Sequence, residues 1–298
     1  MTALTLAPLE NRALLRLSGK DVRHFLQNLV TNDVSTVSES RAVYAALLTA
    51  QGKFLHDFII LQAGDDFLID CAKDRKDDLV RRLTMYKLRA DVTIAEGEET
   101  LYALFGEGAA ETAGLSPAPG TAGKFEEARV LVDPRLASLG VRIIASEGFD
   151  PKTAFANAKA GSAKGFEAHR LSLGVPEGGA DIVPEKNFLL EANFEELNGV
   201  SFAKGCYVGQ ELTARTKHRA KIKKRLFRIT ADTPLAPGDK IMAGEKEIGE
   251  VRSFENGQGL ALIRLEELAN AAPESISPEG ITLSPPDYLD ASSLSVAG

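Results

Sequence analysis

The chain has 298 residues, which allows about two domains of ordinary size with substantial hydrophobic cores. No apolar run approaches the roughly 18 residues needed to cross a bilayer, and the first residues lack the basic-then-apolar order of a secretion signal. Because the net charge of −7 also argues against general nucleic-acid binding, we expect a cytoplasmic protein with no nucleic-acid or membrane partner.

The elements predicted for the first 95 residues alternate between strands and helices. The pair of strands around the turn Gln51-Gly52 predicts a hairpin, and this mixed order favours an α+β fold with helices packed against a largely antiparallel sheet. No strand leads into a G-x-G-x-x-G or a P-loop, so the nucleotide-binding folds lack support. In chain order, the predicted elements are a strand at 14–17, a helix from about residue 21, strands at 43–49, 54–61 and 67–71, a helix over 74–89 with Leu79, Leu83, Tyr86 and Leu88 as its apolar residues, and a strand at 91–95.

Three later segments differ in composition from the first 95 residues. Residues 106–124 are rich in Ala, Gly, Pro and Thr, which predicts a surface loop or subdomain edge and not core. Residues 174–198 are irregular, and a long irregular segment is more often functional than filler. After Arg225, short strands between Pro and Gly turns predict a small all-β domain, so the predicted domains are a body at 1–225 and a β-domain at 226–298. The remaining elements predicted are strands at 129–132 and 141–145, a helix over 164–173, and strands at 226–229, 240–242, 248–254 and 259–263.

The chain has two cysteines, Cys71 and Cys206, which is too few for a disulfide framework and fits a reducing compartment. Two thiols are also fewer than the four that usually hold an iron–sulfur cluster. Cys71 ends an apolar run typical of a buried strand, so we expect it in the core. The four histidines are scattered and no H-E-x-x-H or C-x-x-C occurs, so no metal site is predicted.

The most informative segment runs from Lys204 to Glu211 and reads KGCYVGQE. It places Cys206 between glycines, beside a lysine and ahead of a helix predicted to open at Val208. A thiol pKa of about 8.5 falls near a cation or a helix N-terminus, so this setting favours a reactive thiolate supported by Lys204. From residue types alone, a buried structural cysteine with ordinary turn glycines is an equal alternative.

Basic residues concentrate just after this segment. They favour a local anion site, with a solvated basic face as the commoner alternative and RNA binding as a minority one. The residues are Arg215, Lys217, Arg219, Lys221, Lys223, Lys224, Arg225 and Arg228.

Residues 204–215, KGCYVGQELTAR, closely resemble the signature of the YgfZ-type folate-binding proteins. This family includes a mitochondrial iron–sulfur assembly factor related to glycine cleavage T protein. Residues 25–33, 47–53 and 170–177 resemble further family blocks in family order. The resemblance implies a discontinuous α+β body around a central ligand opening, followed by a C-terminal β-barrel.

The resemblance also implies site residues. The acidic pair of T protein falls near His56-Asp57, where one carboxylate is left, and Ser172 stands where T protein tends to have an acidic residue that recognises the pterin. His56 is a proton-carrier candidate, although an ordinary strand residue is the more common outcome. The family usually has glycine where Ala220 stands. The implied catalytic residues are Cys206, Lys204 and Asp57, and the implied folate-binding residues are Glu191, Asn193, Gly205, Tyr207, Gln210, Glu211 and Arg215.

The function implied is that of a folate-binding protein that assists the assembly or repair of iron–sulfur clusters, with Cys206 as its functional thiol. Its cofactor would be tetrahydrofolate or a related folate, and its partners iron–sulfur client or assembly proteins. Two alternatives stay open. One is a tetrahydrofolate-dependent aminomethyltransferase or methyltransferase, and the other is a scaffold whose cysteine is merely buried.

Overall fold

The computed structural model describes residues 3–219 and 221–290. It divides into two compact units, each built from separate stretches of the chain. The first comprises Met1–Leu48, Leu55–Phe166 and Asn198–Val208, and the second comprises Thr49–Phe54, Glu167–Leu197 and Gly209–Gly298. The predicted domains at 1–225 and 226–298 stay a prediction.

The first unit contains two mostly antiparallel sheets. One is five-stranded with the order β3-β4-β5-β2-β6, and the other is six-stranded with the order β11-β1-β7-β10-β9-β8. Its strands are β1 Thr5–Pro8, β2 Arg12–Ser18, β3 Val43–Leu48, β4 Phe54–Ala63, β5 Asp66–Ala72, β6 Thr93–Glu96, β7 Thr100–Phe105, β8 Ala122–Phe125, β9 Ala128–Val132, β10 Val141–Ala145 and β11 Lys159–Ala160, and its helices are α1 Val22–Leu29, α2 Lys76–Lys87, α3 Ala109–Thr112 and α4 Pro151–Ala154.

The five-stranded sheet carries the larger core of this unit. Helix α1 buries Val22, Phe25, Leu26 and Leu29 on one face, spaced at the i, i+3, i+4, i+7 positions of an amphipathic helix. Cys71 lies in β5 within the same core, which confirms the prediction for it. The predicted strands and helices of this region are confirmed, and they support the α+β fold class.

Two predictions for this unit were wrong. Residues 106–124 were assigned to the surface, yet Ala109, Ala110 and Ala113 are buried in the core of the six-stranded sheet. Small side chains allow α3 to approach the sheet closely, so alanine content here reflects tight packing and not exposure. The helix predicted over 74–89 counted Tyr86 and Leu88 among its apolar residues, whereas α2 ends at Lys87 and both side chains are exposed.

Five buried charged side chains connect the two sheets of the first unit. Asp70 of β5 accepts from Arg12 Nε of β2 at 2.7 Å and from Arg142 Nη1 of β10 at 2.6 Å. Asp133, just after β9, accepts from Arg142 Nε at 3.1 Å and from Arg135 Nη2 at 2.8 Å. None of the five side chains is more than 5% exposed. The two arginines beside Asp133 hold the pKa of its carboxyl well below the usual range against the opposing effect of burial.

The second unit contains a six-stranded antiparallel sheet with the order β16-β13-β14-β15-β12-β17. It buries a core that includes Phe227, Ile241, Val251 and Ile263. Strand β12 includes the strand predicted at 226–229, and it buries Phe227 and Ile229 on either side of the half-buried Arg228. The elements of this unit are α5 Ala163–Ser172, which begins in the first unit, α6 Gln210–Arg219, β12 Lys224–Thr230, β13 Lys240–Ala243, β14 Lys246–Glu255, β15 Gln258–Arg264, α7 Leu265–Ala269, β16 Ile276–Ser277 and β17 Thr282–Ser284.

In the described ranges, no helix is long and apolar enough to cross a membrane.

Candidate functional site

The residues before Cys206 are tied to the turn that follows α1. Thr31 Oγ1 donates to Gly199 O at 2.6 Å, and Asn32 Nδ2 donates to Asn198 O at 2.7 Å. Ser201 N completes the set by donating to Thr31 O at 3.0 Å. Two sequence blocks more than 160 residues apart are therefore in direct contact within the first unit.

Lys204 is the centre of this contact. Its buried ammonium donates to three backbone carbonyls, those of Gln27 at 2.7 Å, Val30 at 2.6 Å and Asn32 at 2.8 Å. These carbonyls belong to the end of α1 and the turn after it, where helix carbonyls lack intrahelical partners and the helix dipole favours a cation. Lys204 therefore anchors the cysteine segment to the C-terminal end of α1.

Burial lowers the pKa of Lys204 to about 8, and the nearby carboxylate of Asp33 opposes this shift. The ammonium also lies 5.2 Å from the centre of the Tyr207 ring, which is buried. The contacts of Lys204 thus explain a positioning role. Its predicted support of the Cys206 thiolate stays a prediction.

Cys206 is exposed, and a Cβ atom added at Gly205 would meet nothing within 4 Å. A ligand or partner can therefore approach the thiol and the backbone before it. Cys71 contrasts with it, because burial raises the pKa of the Cys71 thiol to about 12. The alternative of a buried structural cysteine describes Cys71 and not Cys206.

We expect alkylation to separate the two thiols. In the folded protein, iodoacetamide should modify Cys206 much faster than Cys71, because the reagent reaches an exposed thiol and a buried thiol of raised pKa yields little thiolate. Peptide mass spectrometry at increasing reaction times measures both rates. Labelling in denaturant is the control, in which the two rates should converge, and faster labelling of Cys71 in the folded protein would contradict the assignment.

Helix α6 begins at Gln210, two residues later than predicted, so the first helical residues are Gln210 and Glu211. Arg215 Nη2 donates to Glu211 Oε1 at 2.9 Å, and both side chains are more than half exposed. This is the i, i+4 pair that the sequence spacing predicts, and an exposed pair contributes little to stability. The turn at Gly52 packs against the start of α6, where a Cβ would lie 3.0 Å from Gly209 O.

Several members of the basic run are neutralised within the second unit. Lys217 pairs with Glu195, Arg225 with Glu196 and Arg228 with Asp287. Lys223 and Lys224, by contrast, form no ion pair among the described residues, and Ala220 lies outside them. The run is therefore partly structural, and Lys223 and Lys224 are the residues best placed to meet an external anion.

Glu191 lies in the 3₁₀ helix Leu189–Ala192, and Asn193 is the residue after it. Glu191 Oε2 accepts from Phe188 N at 3.0 Å, while its Oε1 makes no hydrogen bond to the described residues. Asn193 is fully buried in the left-handed conformation; its Oδ1 accepts from Arg225 at 3.0 Å, and its Nδ2 donates to Leu226 O at 3.1 Å. Asn193 thus has a structural role, and a pterin contact for it, which would require these bonds to open, stays a prediction.

Asp57 lies buried in β4, where its Oδ2 accepts from Tyr44 Oη at 2.8 Å. Burial and the Asp57 carboxylate raise the pKa of Tyr44 well above its usual value, so Tyr44 stays a neutral donor. The guanidinium of Arg135 lies 5.6 Å from the centre of the Tyr44 ring. The sequence analysis predicted Asp57 as a site residue but missed Tyr44 and Arg135 beside it. A lone charged residue within an apolar strand, such as Asp70, was the available signal for buried charges in this region.

His56 points to the opposite face of β4 from Asp57, because successive strand residues alternate. Its Nε2 lies 2.8 Å from Asp78 Oδ2 of α2, and Asp78 also accepts from Arg82 Nε at 2.7 Å. Burial lowers the pKa of His56 to about 4, although Asp78 opposes the shift. A neutral buried histidine with a fixed partner fits the more common, structural interpretation.

This shift predicts a pH dependence of stability. The unfolded chain binds a proton at the ordinary histidine pKa of 6.5, whereas the folded protein does so near 4. Stability should therefore decrease as the pH falls from about 6.5 to 4, by up to about 3 kcal/mol. Urea unfolding at pH 7, 6 and 5 measures the slope. His56→Gln keeps a polar partner for Asp78 and does not titrate, so an equal slope in this variant would contradict the prediction.

The Ser172 hydroxyl also has a partner within the protein, since its Oγ donates to His169 O at 2.7 Å near the end of α5.

Among the described residues, no group of three or more His, Cys, Asp or Glu side chains lies close enough together to hold a metal ion.

Comparisons with known proteins agree with this architecture. Residues 4–113 match the family described as GCVT N-terminal domain, and residues 223–290 match the family described as CAF17, C-terminal beta-barrel domain. The fold is similar to that of glycine cleavage system aminomethyltransferase T from Bartonella henselae, with a TM-score of 0.77 and 16% identity, covering 97% of this chain and 87% of that chain. These findings confirm the predicted fold class of a T-protein-like body with a C-terminal barrel domain.

Two mitochondrial relatives cover most of the chain. The iron–sulfur cluster assembly factor IBA57 of Mus musculus is 33% identical over 291 residues, covering 89% of this chain and 79% of that protein. Its counterpart in Homo sapiens is 34% identical over 280 residues, covering 87% and 77%. Because both are named as mitochondrial, they point to mitochondria and overturn the cytoplasmic location predicted from the sequence. With this identity and coverage, the chain belongs to the family of the iron–sulfur cluster assembly factor IBA57.

Proposed function

We propose that this protein assists the assembly or repair of iron–sulfur clusters in other proteins, and that Cys206 is its functional thiol. The observation that carries the proposal is the exposed thiol of Cys206 on a segment anchored by the buried ammonium of Lys204. A fixed, accessible thiol suits transient bonding to a partner or to a cluster in transit, which is cargo here. The names of the IBA57 relatives support this role.

We further propose that the protein binds tetrahydrofolate or a related folate. The donors and acceptors present fit such a ligand in part. The half-buried Glu191 has a carboxylate oxygen, Oε1, without a hydrogen bond to the described residues, and a pterin offers N–H donors to such an acceptor. Lys223 and Lys224 offer positive charge to the carboxylates of a folate tail. When bound, a folate would supply one-carbon or redox chemistry.

The charge of the folate tail gives a measurable consequence. Affinity for tetrahydrofolate, measured by calorimetry, should decrease as salt is raised, because attraction between exposed charges is screened. Lys223→Gln combined with Lys224→Gln should weaken binding a few-fold and flatten the salt dependence, since exposed pairs contribute about 0.2–1 kcal/mol each. Lys246→Gln is the matched control, because Lys246 of β14 is paired with Glu267 of α7. Affinity that does not change with salt would remove the electrostatic argument.

The second candidate function is a tetrahydrofolate-dependent aminomethyltransferase or methyltransferase, which the shared fold with aminomethyltransferase T favours. Two positions weaken it. Asp57 is the single carboxylate at the site of the acidic pair, and Ser172 donates to a backbone carbonyl where a pterin-directed carboxylate is expected. General acid–base groups contribute about a hundredfold to ten-thousandfold in rate, so their absence should be visible in turnover.

Complementation separates these functions. The wild-type chain should restore the activity of iron–sulfur enzymes in a strain that lacks its own assembly factor of this family. The purified protein should not support glycine cleavage when it replaces T protein in a reconstituted system. Robust glycine cleavage without rescue of iron–sulfur enzymes would favour the transferase instead.

A further inference from the structure

Every exposed large hydrophobic side chain in the described ranges lies within one short stretch. Met85 is 65% exposed, Tyr86 40% and Leu88 85%, whereas Leu79 and Leu83 on the same helix are fully buried. Scattered single exposed hydrophobic residues are normal, but their concentration at one point indicates a contact surface. We call Arg81, Met85, Tyr86, Leu88 and Arg89 the α2 patch.

The backbone of Leu88 makes this exposure costly. Leu88 follows the last residue of α2 and has φ 45° and ψ −106°, a backbone conformation that residues with a Cβ atom rarely adopt. Glycine or asparagine is the usual residue at a positive φ after a helix. The leucine side chain neither favours this backbone conformation nor becomes buried. The stability of the folded chain therefore does not explain why leucine stands at position 88.

The two charged residues of the patch itself, Arg81 and Arg89, are basic, whereas Asp78 and Asp91 flank it in the chain. Residues 81–90 contain four basic residues and no acidic one, in a chain whose net charge is −7. Arg81 and Arg89 are exposed, and Asp78, at the preceding turn, is shared between Arg81 and Arg82. The patch therefore presents apolar side chains within a local positive field.

A groove of about 390 Å³ adjoins the patch, and Arg81 belongs to both. It lies between α2 and β6, the edge strand of the five-stranded sheet, and Val80 and Ile94 form its apolar part. Asp77 and Glu96 add carboxylates to its lining. An anionic lipid surface would be repelled by these carboxylates, whereas a protein surface can match both signs of charge.

We propose that the α2 patch docks a partner protein that presents an apolar pocket for Leu88 surrounded by acidic side chains. Leu88, 85% exposed, presents its side chain to such a pocket, and binding energy in interfaces concentrates in a few such anchors. Arg81 and Arg89 orient the partner through its carboxylates. This docking does not depend on Cys206 or on folate, so it stands or fails separately from the proposed function.

The test begins with a photocrosslinking amino acid at position 88 in living cells, with position 111 as the control because Glu111 is an exposed residue on α3 of the same unit. A protein crosslinked from position 88 and not from position 111 is then purified, and its affinity for the uncrosslinked chain is measured by calorimetry. Leu88→Asp and Arg89→Glu should each weaken binding, Leu88→Asp by at least about tenfold. Binding should also weaken as salt is raised.

Leu88→Gly keeps the proposal falsifiable if the aspartate variant folds poorly. Because glycine adopts a positive φ freely, this variant should unfold at a higher temperature than the wild type while still losing affinity for the partner. Four results would overturn the proposal: no crosslink specific to position 88, partner affinity unchanged in Leu88→Gly, binding to phosphatidylglycerol vesicles that Leu88→Asp abolishes, or self-association in sedimentation that Leu88→Asp abolishes.

Discussion

Cys206→Ala should abolish rescue of iron–sulfur enzyme activity in a deletion strain while the protein keeps its fold. The thiol is exposed, so removing it leaves no cavity, and we expect the free energy of unfolding to change by less than about 0.5 kcal/mol. The thiolate is the nucleophile and ligand in cysteine chemistry, and alanine replaces it in neither role. The measurements are the activity of a client iron–sulfur enzyme in cell extracts and urea unfolding of the purified variant.

Cys71→Ala is the matched control, since it makes the same substitution at a cysteine in the core. Cys71 is 2% exposed, so this variant should lose roughly 1 kcal/mol of stability and still rescue enzyme activity. If Cys71→Ala lost rescue while Cys206→Ala kept it, the loss of enzyme activity would reflect reduced protein stability and not the Cys206 thiol. Full rescue by Cys206→Ala would overturn the role proposed for this thiol.

Asp70→Asn should cause a large loss of stability in the first unit. Asp70 pairs with Arg12 at 2.7 Å and with Arg142 at 2.6 Å, and the side chains are between 2% and 5% exposed. Asparagine keeps the shape of the side chain but leaves two buried guanidinium groups short of one negative charge. Breaking such a buried pair typically costs about 3–5 kcal/mol, and we expect a loss of this size in urea unfolding at pH 7.

Asp77→Asn is the control for this variant. The Asp77 side chain is 96% exposed and its oxygen lies 3.8 Å from Lys76 Nζ, so the same chemical change there should alter stability by less than about 0.5 kcal/mol. Equal losses in the two variants would show that the buried ion pairs do not hold the two sheets together. Since Asp70 contacts neither Cys206 nor Lys204, its effect on rescue should follow the amount of folded protein.

The sequence determined those features that depend on neighbours along the chain. Apolar periodicity located α1, because a helix repeats its buried positions every 3.6 residues. A short apolar run indicated β5, and Pro and Gly turns bounded the strands predicted after Arg225. The block around Cys206 indicated the family, and the spacing of Glu211 and Arg215 predicted their ion pair.

The tertiary structure decided features that depend on residues distant in the chain. Lys204 looked like a partner of Cys206, yet its ammonium contacts carbonyls more than 170 residues away, at the end of α1. Asn193 looked like a ligand residue, yet it is fully buried and bonded to Arg225 and Leu226. Leu88 looked like part of a helix face, yet the helix ends one residue before it. The local sequence pattern indicates which residues favour burial. The hydrogen-bond or ion-pair partner of a buried charge or amide is determined by how the strands and helices pack together.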